Sequence, residues 1–374
     1  MKPRIAILAD YPAWTFLPEL PQRKGSFPVW LTALHHALGE QQDFEIHWMT
    51  ASKNVGETKT IETNGQFFHL FPRARKTIGL FTAYLWDRAI IRRKLARIRP
   101  SLIHVWGTED VYALAGLDYP AQRLLSIQGL LNAYAERGPI SPFERRQRLW
   151  ERYALKRYEH MTAESPWSRA RARETAPNAH IDLVEYGVEQ PFFQLERKPS
   201  AKPVFLYGGL LSRLKGTDTL LQAFSSPALA HVELRLAGNG NAAHFYEGEL
   251  PPNICPLGPL DRAAMTAQMA EAWCLIHPSR ADTGPTIAKE ARVAGLPVIL
   301  TEDCGSKQHV EPGLSGYVVP PGDTDALIQA ALEIASSRDQ ALKMGAYGRD
   351  ACRERLRPEQ TASRFLQLYR CLLS

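Results

Sequence analysis

Short apolar runs alternate with longer amphipathic segments along the whole chain. The apolar runs are continuous, which is typical of parallel strands that are buried on both faces. In the first half the predicted strands are Ile5–Ala9, Phe44–Met49, Phe67–Phe71, Leu102–Trp106, Leu124–Ile127, Met161–Ala163 and Ile181–Val184. In the second half they are Val204–Tyr207, Val232–Leu236, Trp273–His277, Val298–Leu300 and Tyr317–Val319. Helical spacing between these runs predicts an α/β protein with doubly wound parallel sheets.

The length and one irregular segment predict two domains. A chain of 374 residues is too long for one ordinary core. The segment Pro191–Pro203 is rich in proline and charge and weakly periodic, as a linker is. We therefore expect domains at residues 1–190 and 200–356, with a C-terminal helix over 357–374 that packs back on the first. Ligands of open parallel sheets bind beyond the carboxyl ends of the strands, so we expect a cleft between the domains.

The composition narrows the class of protein. Hydrophobic residues make up 45% of the chain and charged residues 22%, which is ordinary for a soluble globular protein. No apolar run approaches the roughly 20 residues of a membrane helix. The run Ile5–Ala9 is followed by Asp10, which indicates a buried strand and not a signal peptide. The five cysteines form no Cys-x-x-Cys pair, which favours reduced thiols in the cytoplasm.

Residues 276–299 are the strongest candidate for chemistry. A strand is followed by a short loop and a helix that begins near Pro285 and ends at Gly295. Two carboxylates bracket the start of this helix, Asp282 and Glu290. A helix N-terminus attracts a diphosphate, and carboxylates accept hydrogen bonds from sugar and ribose hydroxyls. The alternative is that Asp282 only caps the helix and that Glu290 lies on a solvated face.

Residues 204–218 carry a second candidate. A strand runs into a glycine turn that includes Gly209, followed by Arg213 and Lys215 at the start of the next helix. Glycine lets the backbone approach a ligand, and the two bases can neutralise a leaving diphosphate. The alternative is a plain strand–helix turn with two solvated bases.

These segments resemble the retaining glycosyltransferases of family 4, which have the GT-B fold. The resemblance spans essentially the whole chain and is most specific over the second half. The matching motifs are Glu185-Tyr186-Gly187-Val188…Phe193, Gly208-Gly209-Leu210…Lys215-Gly216, Leu236-Ala237-Gly238-Asn239-Gly240, Leu257-Gly258, Asp282…Glu290-Ala291…Gly295-Leu296-Pro297-Val298 and Gly316-Tyr317-Val318-Val319-Pro320-Pro321-Gly322-Asp323.

The resemblance implies a fold, a reaction and a site. The fold is two Rossmann-like domains facing a central cleft. The reaction moves a sugar from a nucleotide-sugar donor to a polysaccharide or lipid-linked oligosaccharide acceptor with retention of anomeric configuration. Catalytic roles fall to Lys215, which binds the donor phosphates, to Arg213, and to Asp282, which contacts the donor sugar. Glu290 holds the ribose. The remaining donor-binding residues implied by the family are Gly25, Ser26, Gly209, Asn239, Leu257, Thr283, Gly284, Thr286 and Ile287.

Three positions depart from the family pattern. Asp282 replaces the usual glutamate and is one methylene shorter, and Leu210 stands where an arginine is frequent. Gln128 stands where the family often has histidine, and glutamine can contact acceptor or donor sugar only by hydrogen bonds. These departures leave open a catalytically inactive sugar-binding relative.

No metal or other cofactor is expected. Asp323-Thr324-Asp325 spells Asp-x-Asp, a metal-binding pattern in other glycosyltransferases, but its position before a helical run predicts that Asp323 is an N-cap. Gly238-Asn239-Gly240 has no third glycine at the spacing of a dinucleotide fingerprint. The histidines lack metal-ligand spacing, so we expect structural or exposed roles for them.

Basic residues concentrate in the first half of a chain whose net charge is +6. Aromatic residues interleave with them, which suggests docking on an anionic membrane at the cytoplasmic face. The alternative is a pair of solvated helices that pack their apolar sides inward. The first basic segment holds Arg73, Arg75, Lys76, Arg88, Arg92, Arg93, Lys94, Arg97 and Arg99, with Leu80, Phe81, Tyr84, Leu85, Trp86, Ile90 and Ile91. The second holds Arg145, Arg146, Arg148, Arg152, Lys156 and Arg157, with Trp150 and Tyr153.

Two other functions stay open from the sequence. A sugar-nucleotide epimerase has a similar architecture and would turn over the donor without an acceptor. A nucleic-acid-binding protein would use the basic segments and bind with steep salt dependence, although no known nucleic-acid motif is present. We expect a nucleotide sugar and a glycan or lipid-linked acceptor as partners, and no nucleic acid.

Overall fold

The polypeptide forms two units, each built on one sheet. A computed structural model describes residues 2–17, 20, 28–39, 41–73, 76–108, 110–138 and 140–374. One unit holds the described part of Met1–Gln22 together with Pro28–Tyr186 and Pro358–Ser374, and the other holds Gly187–Arg357. Among the described residues, no helix combines the length and the apolar character needed to cross a bilayer.

The strands and helices follow in chain order. The strands are β1 (Arg4–Leu8), β2 (Glu45–Ser52), β3 (Lys59–Thr63), β4 (Gln66–Pro72), β5 (Leu102–Trp106), β6 (Gln122–Ser126), β7 (His160–Ala163), β8 (His180–Leu183), β9 (Val204–Gly208), β10 (Glu233–Ala237), β11 (Ile254–Gly258), β12 (Cys274–His277), β13 (Val298–Thr301) and β14 (Gly316–Val319). The helices are α1 (Val29–Leu38), α2 (Lys76–Phe81), α3 (Leu85–Ile98), α4 (Val111–Gly116), α5 (Leu131–Ala135), α6 (Pro142–Leu155), α7 (Pro166–Thr175), α8 (Gln190–Phe193), α9 (Thr217–Phe224), α10 (Arg262–Glu271), α11 (Thr286–Val293), α12 (Thr324–Ala335), α13 (Arg338–Cys352) and α14 (Pro358–Leu373).

The sheet of the first unit has the order β3-β4-β2-β1-β5-β6-β7-β8. Its strand pairs are parallel except for the β3–β4 hairpin, which turns at Asn64-Gly65 with positive φ at both residues. Alternate residues of β1 enter two separate cores, Ala6 on one face and Ile7 on the other. The sheet is therefore buried on both faces, as its continuous apolar strands predict.

Helix α14 covers one face of this sheet. Tyr369 and Phe365 pack against His104 on β5, and the Tyr369 hydroxyl lies 2.6 Å from His104 Nδ1. Burial lowers the pKa of His104 to about 3, so its ring is neutral, and Nε2 pairs with Ser126 Oγ at 2.7 Å. The C-terminal helix thus supplies part of the core of the first unit.

The sheet of the second unit has the order β11-β10-β9-β12-β13-β14, with every described pair parallel. The chain runs outward from β9 to β10 and β11, then returns to the other side of β9 to begin β12. This reversal places a topological switch point between β9 and β12, where the loops after the two strands diverge and leave room for a ligand.

Each strand predicted from an apolar run is present, and the two parallel α/β units confirm the predicted fold class. The strands β3 and β11 are not predicted, because both lie at sheet edges and are partly solvated. An edge strand needs no continuous apolar run, so its sequence pattern is weak.

The boundary between the units lies between Tyr186 and Gly187. Phe192 and Phe193 of α8 are buried in a core of the second unit together with Leu206 and Val298. The first part of the predicted linker is therefore an element of the second unit, since its two aromatic side chains are buried there.

Candidate functional site

Three loops meet at the carboxyl ends of β9, β10 and β11. The Gly238 N–H donates to the Gly258 carbonyl at 2.9 Å. A Cβ added at Gly238 would lie 1.6 Å from the Gly209 carbonyl oxygen, so only glycine permits this approach. Asn239 is exposed beside this contact and Leu257 is half-buried. The structure thus brings together three of the predicted donor-binding residues.

The turn that carries Lys215 is held against the loop after β12. The Lys215 N–H donates to the Ser212 carbonyl at 3.1 Å. Gly216 has a φ of +72°, and a Cβ there would lie 2.0 Å from the Pro278 carbonyl oxygen. The Arg280 N–H donates to the Leu214 carbonyl at 2.8 Å. These contacts fix the backbone from which the Lys215 side chain projects.

Arg280, which the sequence did not single out, braces the same turn. Its guanidinium binds both carboxylate oxygens of Asp218, at 2.6 and 3.0 Å, and also the Arg213 carbonyl. Arg213 itself is exposed. The role of Arg280 leaves no local sequence signal, because its partner Asp218 lies 62 residues earlier.

Lys215 and Asp282 form the central contact of the site. Lys215 Nζ lies 2.5 Å from Asp282 Oδ2, and His277 Nε2 lies 3.2 Å from the same oxygen. The Gly284 N–H donates to Asp282 Oδ1 at 3.2 Å. Burial opposes ionisation of Asp282, but Lys215 and His277 outweigh it and hold the pKa of this carboxyl well below its usual range. Asp282 is therefore a carboxylate.

His277 is a site residue that the sequence analysis missed. It is the last residue of β12, and its ring stacks on the buried Tyr207 with centroids 5.7 Å apart and planes within 8°. Burial raises the pKa of Tyr207, so its hydroxyl keeps its proton and donates to the Leu210 carbonyl at 2.8 Å. A polar residue at the end of a fully apolar strand is the signal that identifies such a position.

The helix α11 begins immediately after Asp282 and its loop. Pro285 is the N-cap, and Thr286 and Ile287 are the first two helical residues, whose N–H groups have no partner within the helix. A Cβ at Gly208 would lie 2.8 Å from Ile287 Cγ1. The absence of a side chain at Gly208 therefore lets the start of the helix approach β9 closely. Thr283 is buried in the preceding loop. The predicted diphosphate-facing residues therefore lie together at one helix N-terminus.

Glu290 is 2% exposed, so its interpretation as a solvated surface residue is wrong. Its Oε1 accepts a hydrogen bond from Arg262 Nη2 at 2.7 Å, and the same nitrogen pairs with Glu189 Oε2 at 2.7 Å. The Arg262 guanidinium lies over the Phe192 ring, 4.5 Å from its centroid. One arginine thus joins α11, α10 and α8 around the second acid of the motif.

We expect Arg262→Ala to lower the unfolding temperature by about 5–10 °C. Breaking a buried ion pair by removing one partner costs about 3–5 kcal/mol, because Glu290 would keep an uncompensated buried charge. Differential scanning fluorimetry measures the shift. The matched control is Arg235→Ala, since Arg235 also joins two carboxylates, Glu233 and Glu271, but their side chains are 39% and 52% exposed. Equal shifts in the two variants would contradict the assignment.

Gln128 lies in the first unit, half-buried in the loop after β6. The buried Glu151 holds the end of this loop, accepting the N–H groups of Leu131 and Asn132, both at 2.9 Å, and the Thr108 hydroxyl at 2.8 Å. Burial raises the pKa of Glu151 despite these donors. The segment that carries Gln128 is therefore anchored by a carboxylate.

The remaining predictions concern Gly25, Ser26, the Asp-x-Asp sequence and metal ligands. Gly25 and Ser26 lie outside the described residues. Asp323 is the N-cap of α12 and accepts the Ala326 N–H at 2.9 Å, as predicted for the Asp-x-Asp sequence. Within the described part of the chain, no three His, Cys, Asp or Glu side chains are grouped to hold a metal ion.

Comparison with known proteins finds one family model that matches part of the chain, and several similar proteins. Residues 189–351 match the family model described as glycosyl transferases group 1. Over 192 residues the chain is 21% identical to N-acetyl-alpha-D-glucosaminyl L-malate synthase of Bacillus anthracis, which covers 50% of this chain and 47% of that protein. Over 163 residues it is 30% identical to D-inositol 3-phosphate glycosyltransferase 1 of Catenulispora acidiphila, covering 38% of each. The chain spans less than half the length of these curated relatives.

Solved structures resemble the chain over nearly its full length. Sucrose-phosphate synthase from Thermosynechococcus elongatus has a TM-score of 0.82 at 19% identity and covers 99% of both chains. HepE from Anabaena, in complex with UDP-glucose, has a TM-score of 0.69 at 14% identity, covering 99% of this chain and 100% of its own. WaaG, a glycosyltransferase involved in lipopolysaccharide biosynthesis, has a TM-score of 0.70 at 15% identity, covering 96% and 98%. These similarities identify the two parallel-sheet units as a GT-B fold.

Proposed function

We propose that this chain is a nucleotide-sugar-dependent glycosyltransferase of the glycosyl transferases group 1, whose family model matches residues 189–351. It moves a sugar to a polysaccharide or lipid-linked oligosaccharide acceptor with retention of anomeric configuration. The observation that carries the proposal is the contact between Lys215 and Asp282 beside the N-terminus of α11. The matched family and relatives do not favour the epimerase or the nucleic-acid-binding alternative.

In the proposed reaction the phosphates of the donor bind Lys215 and the first N–H groups of α11. The acceptor hydroxyl attacks the anomeric carbon from the face on which the leaving diphosphate departs. The bond from that carbon to the diphosphate oxygen breaks as the bond to the acceptor oxygen forms, and a phosphate oxygen takes the acceptor proton. Lys215 and the helix N-terminus stabilise the charge that develops on the diphosphate, so no protein base is required.

Glu290 holds the ribose of the donor in this proposal. Its position is supported by the hydrogen bond from Arg262, which keeps one carboxylate oxygen in place. The base lies near Asn239 and Leu257, where the loops after β10 and β11 converge. Gln128, in the first unit, contacts the acceptor or the donor sugar through its amide. No divalent cation takes part, and the stabilising charges are those of the protein.

A donor screen followed by product analysis tests this function. Thermal-shift measurements with UDP-, GDP- and ADP-sugars should reveal one stabilising donor class, because a ligand that binds the folded state alone raises its unfolding temperature. Transfer with that donor should give a product with the anomeric configuration of the donor in its NMR spectrum. Turnover should persist in chelator. An inverted product, or activity that chelator removes and manganese restores, would refute the proposal.

One surface of the first unit exposes apolar residues, which supports the proposal that the protein acts at a membrane. Phe81 and Trp86 are each 66% exposed, and α2 contacts both α3 and α6. The Arg146 guanidinium lies 4.5 Å from the centre of the Phe81 ring, which joins α2 to α6. We call the exposed apolar residues of these helices the docking patch: Ile78, Phe81, Leu85, Trp86, Leu149 and Tyr153.

Exposed basic residues lie on or after two of the helices that carry the docking patch. Exposed bases on α3 are Arg92, Arg93 and Arg97, and those on or after α6 are Arg145, Arg152, Lys156 and Arg157. Of the acids close to these helices, Asp87 is buried and Asp118 is paired with Arg88. Helices that expose both apolar and basic side chains suit an anionic lipid surface. We propose peripheral docking at the cytoplasmic face of a membrane, where a lipid-linked acceptor would lie.

The alternative, in which the aromatic residues of the basic segments are core residues, holds for some of them. Tyr84 is buried, and Trp150 is half-buried and donates its indole N–H to the Leu80 carbonyl at 3.1 Å. Trp86 and Phe81 are not core residues. The docking proposal therefore depends on a smaller set of side chains than the sequence suggests.

A further inference from the structure

The hydrogen bonds described for the Asp282 carboxylate all come from residues of the second unit. Oδ2 accepts from Lys215 Nζ at 2.5 Å and from His277 Nε2 at 3.2 Å, and Oδ1 accepts from the Gly284 N–H at 3.2 Å. Only 8% of the side chain is exposed. The family resemblance assigns a donor-sugar contact to this position, but both oxygens are engaged by donors of the chain.

The backbone of Asp282 is held as firmly as its side chain. Its N–H donates to the Asp303 carbonyl at 3.0 Å, its carbonyl accepts the Gly305 N–H at 2.8 Å, and it forms a bridge with Cys304. Because the backbone of Asp282 is fixed by these contacts, the length of the side chain limits how far its carboxylate can extend. Aspartate is one methylene shorter than the glutamate of the family, so its carboxylate stays within the unit.

The ion pair with Asp282 lowers the net positive charge that Lys215 presents to a diphosphate. Lys215 alone would offer a full positive charge, whereas Lys215 paired with Asp282 at 2.5 Å offers a nearly neutral dipole. Charges a few ångströms apart and shielded from water interact strongly. An arriving diphosphate must therefore compete with Asp282 for the ammonium group.

We propose that Asp282 is a positioning residue that holds Lys215 and limits its attraction for the diphosphate, and is not a ligand of the donor sugar. This inference rests on the proposed function, since it takes the diphosphate as the ligand of Lys215. In this role the aspartate promotes product release, because weaker binding of the nucleoside diphosphate by Lys215 lets it leave after transfer.

The test is the affinity of the whole protein for bare diphosphates. Asp282→Asn keeps the shape and removes the charge, and we expect it to bind UDP, GDP or ADP, whichever the wild type binds, about tenfold more tightly. Inorganic pyrophosphate should bind more tightly too. The affinity should fall more steeply with salt than in the wild type, because one more positive charge is unpaired. Calorimetry at several salt concentrations measures both effects.

Three variants sharpen the test. Asp282→Ser is a second neutral variant and is expected to bind like Asp282→Asn, so either folded protein serves. Asp282→Glu keeps the charge and should bind diphosphate less tightly than Asp282→Asn. In a Lys215→Ala background the gain from Asp282→Asn should disappear, because the effect acts through the lysine.

The outcomes separate the two proposals. If the wild type binds none of the three nucleoside diphosphates, the proposed function fails, and this inference fails with it. If the wild type binds and the folded Asp282→Asn binds bare diphosphate equally or more weakly, this inference alone is overturned. Loss of affinity confined to the nucleotide sugar would restore the donor-sugar role of Asp282.

Discussion

Replacing Lys215 with alanine is expected to lower kcat by about two to three orders of magnitude. Removing one group that stabilises developing charge in the transition state typically has this effect. Lys215 is placed for such a role by its glycine turn and by its 2.5 Å contact with Asp282. The variant would also leave the Asp282 charge uncompensated close to the departing diphosphate, which adds repulsion to the lost attraction.

The loss in kcat should exceed the change in KM. Charge accumulates on the diphosphate as its bond to the sugar breaks, so the lysine interacts more strongly with the transition state than with the bound donor. Steady-state kinetics with the donor found in the nucleotide-sugar screen measures both constants. Lys343→Ala, an exposed lysine on α13, is the control. Near-wild-type turnover in a folded Lys215→Ala protein would remove Lys215 from the mechanism.

Folding needs a separate check for this variant. Asp282 is buried and would lose its closest cationic partner, so some loss of stability is expected. The double variant Lys215→Ala/Asp282→Asn removes the unpaired charge and should recover stability without recovering turnover. Recovery of both would show that Lys215→Ala acts through misfolding.

The second large effect is expected at the docking patch. Phe81→Ser, Leu85→Ser and Trp86→Ser combined should weaken binding to anionic vesicles by about two orders of magnitude. Fully burying side chains of this size contributes about 1.5–3 kcal/mol each, so the loss of three is large even at partial insertion. Vesicle flotation with anionic and neutral lipids measures the change. The control is Leu314→Ser, which removes an exposed apolar residue from the second unit.

Charge reversal at Arg92, Arg93 and Arg97 distinguishes the two contributions to docking. Each basic residue near an anionic surface contributes about 1 kcal/mol and is screened by salt. The defect of the reversal variant should therefore shrink at high salt, whereas that of the serine variant should persist. A wild-type protein that fails to bind anionic vesicles at low salt, and transfers sugar well to a soluble acceptor, would rule docking out.

Buried elements of the fold are determined by the sequence alone. A strand such as Leu102–Trp106 is apolar at four of its five positions, because parallel strands are covered on both faces, and its bounds in the structure are the predicted ones. The start of α11 after Pro285 and its end before Gly295 follow from the local conformational preferences of proline and glycine. The alternation of such elements suffices to predict two doubly wound units.

Contacts between distant residues were decided only by the tertiary structure. The edge strands β3 and β11 and the burial of Phe192 depend on neighbours that no local pattern reports. The difference between the buried Tyr84 and the exposed Trp86 has the same cause.

The same division holds in the site. Sequence spacing places Asp282 and Glu290 around one helix start, and the resemblance to a family implies their roles. The partners of these carboxylates, Lys215 and Arg262, lie 67 and 28 residues away along the chain. Only the tertiary packing of these distant segments brings such groups within hydrogen-bonding distance. The chemistry of each acid is therefore set by neighbours that the fold selects.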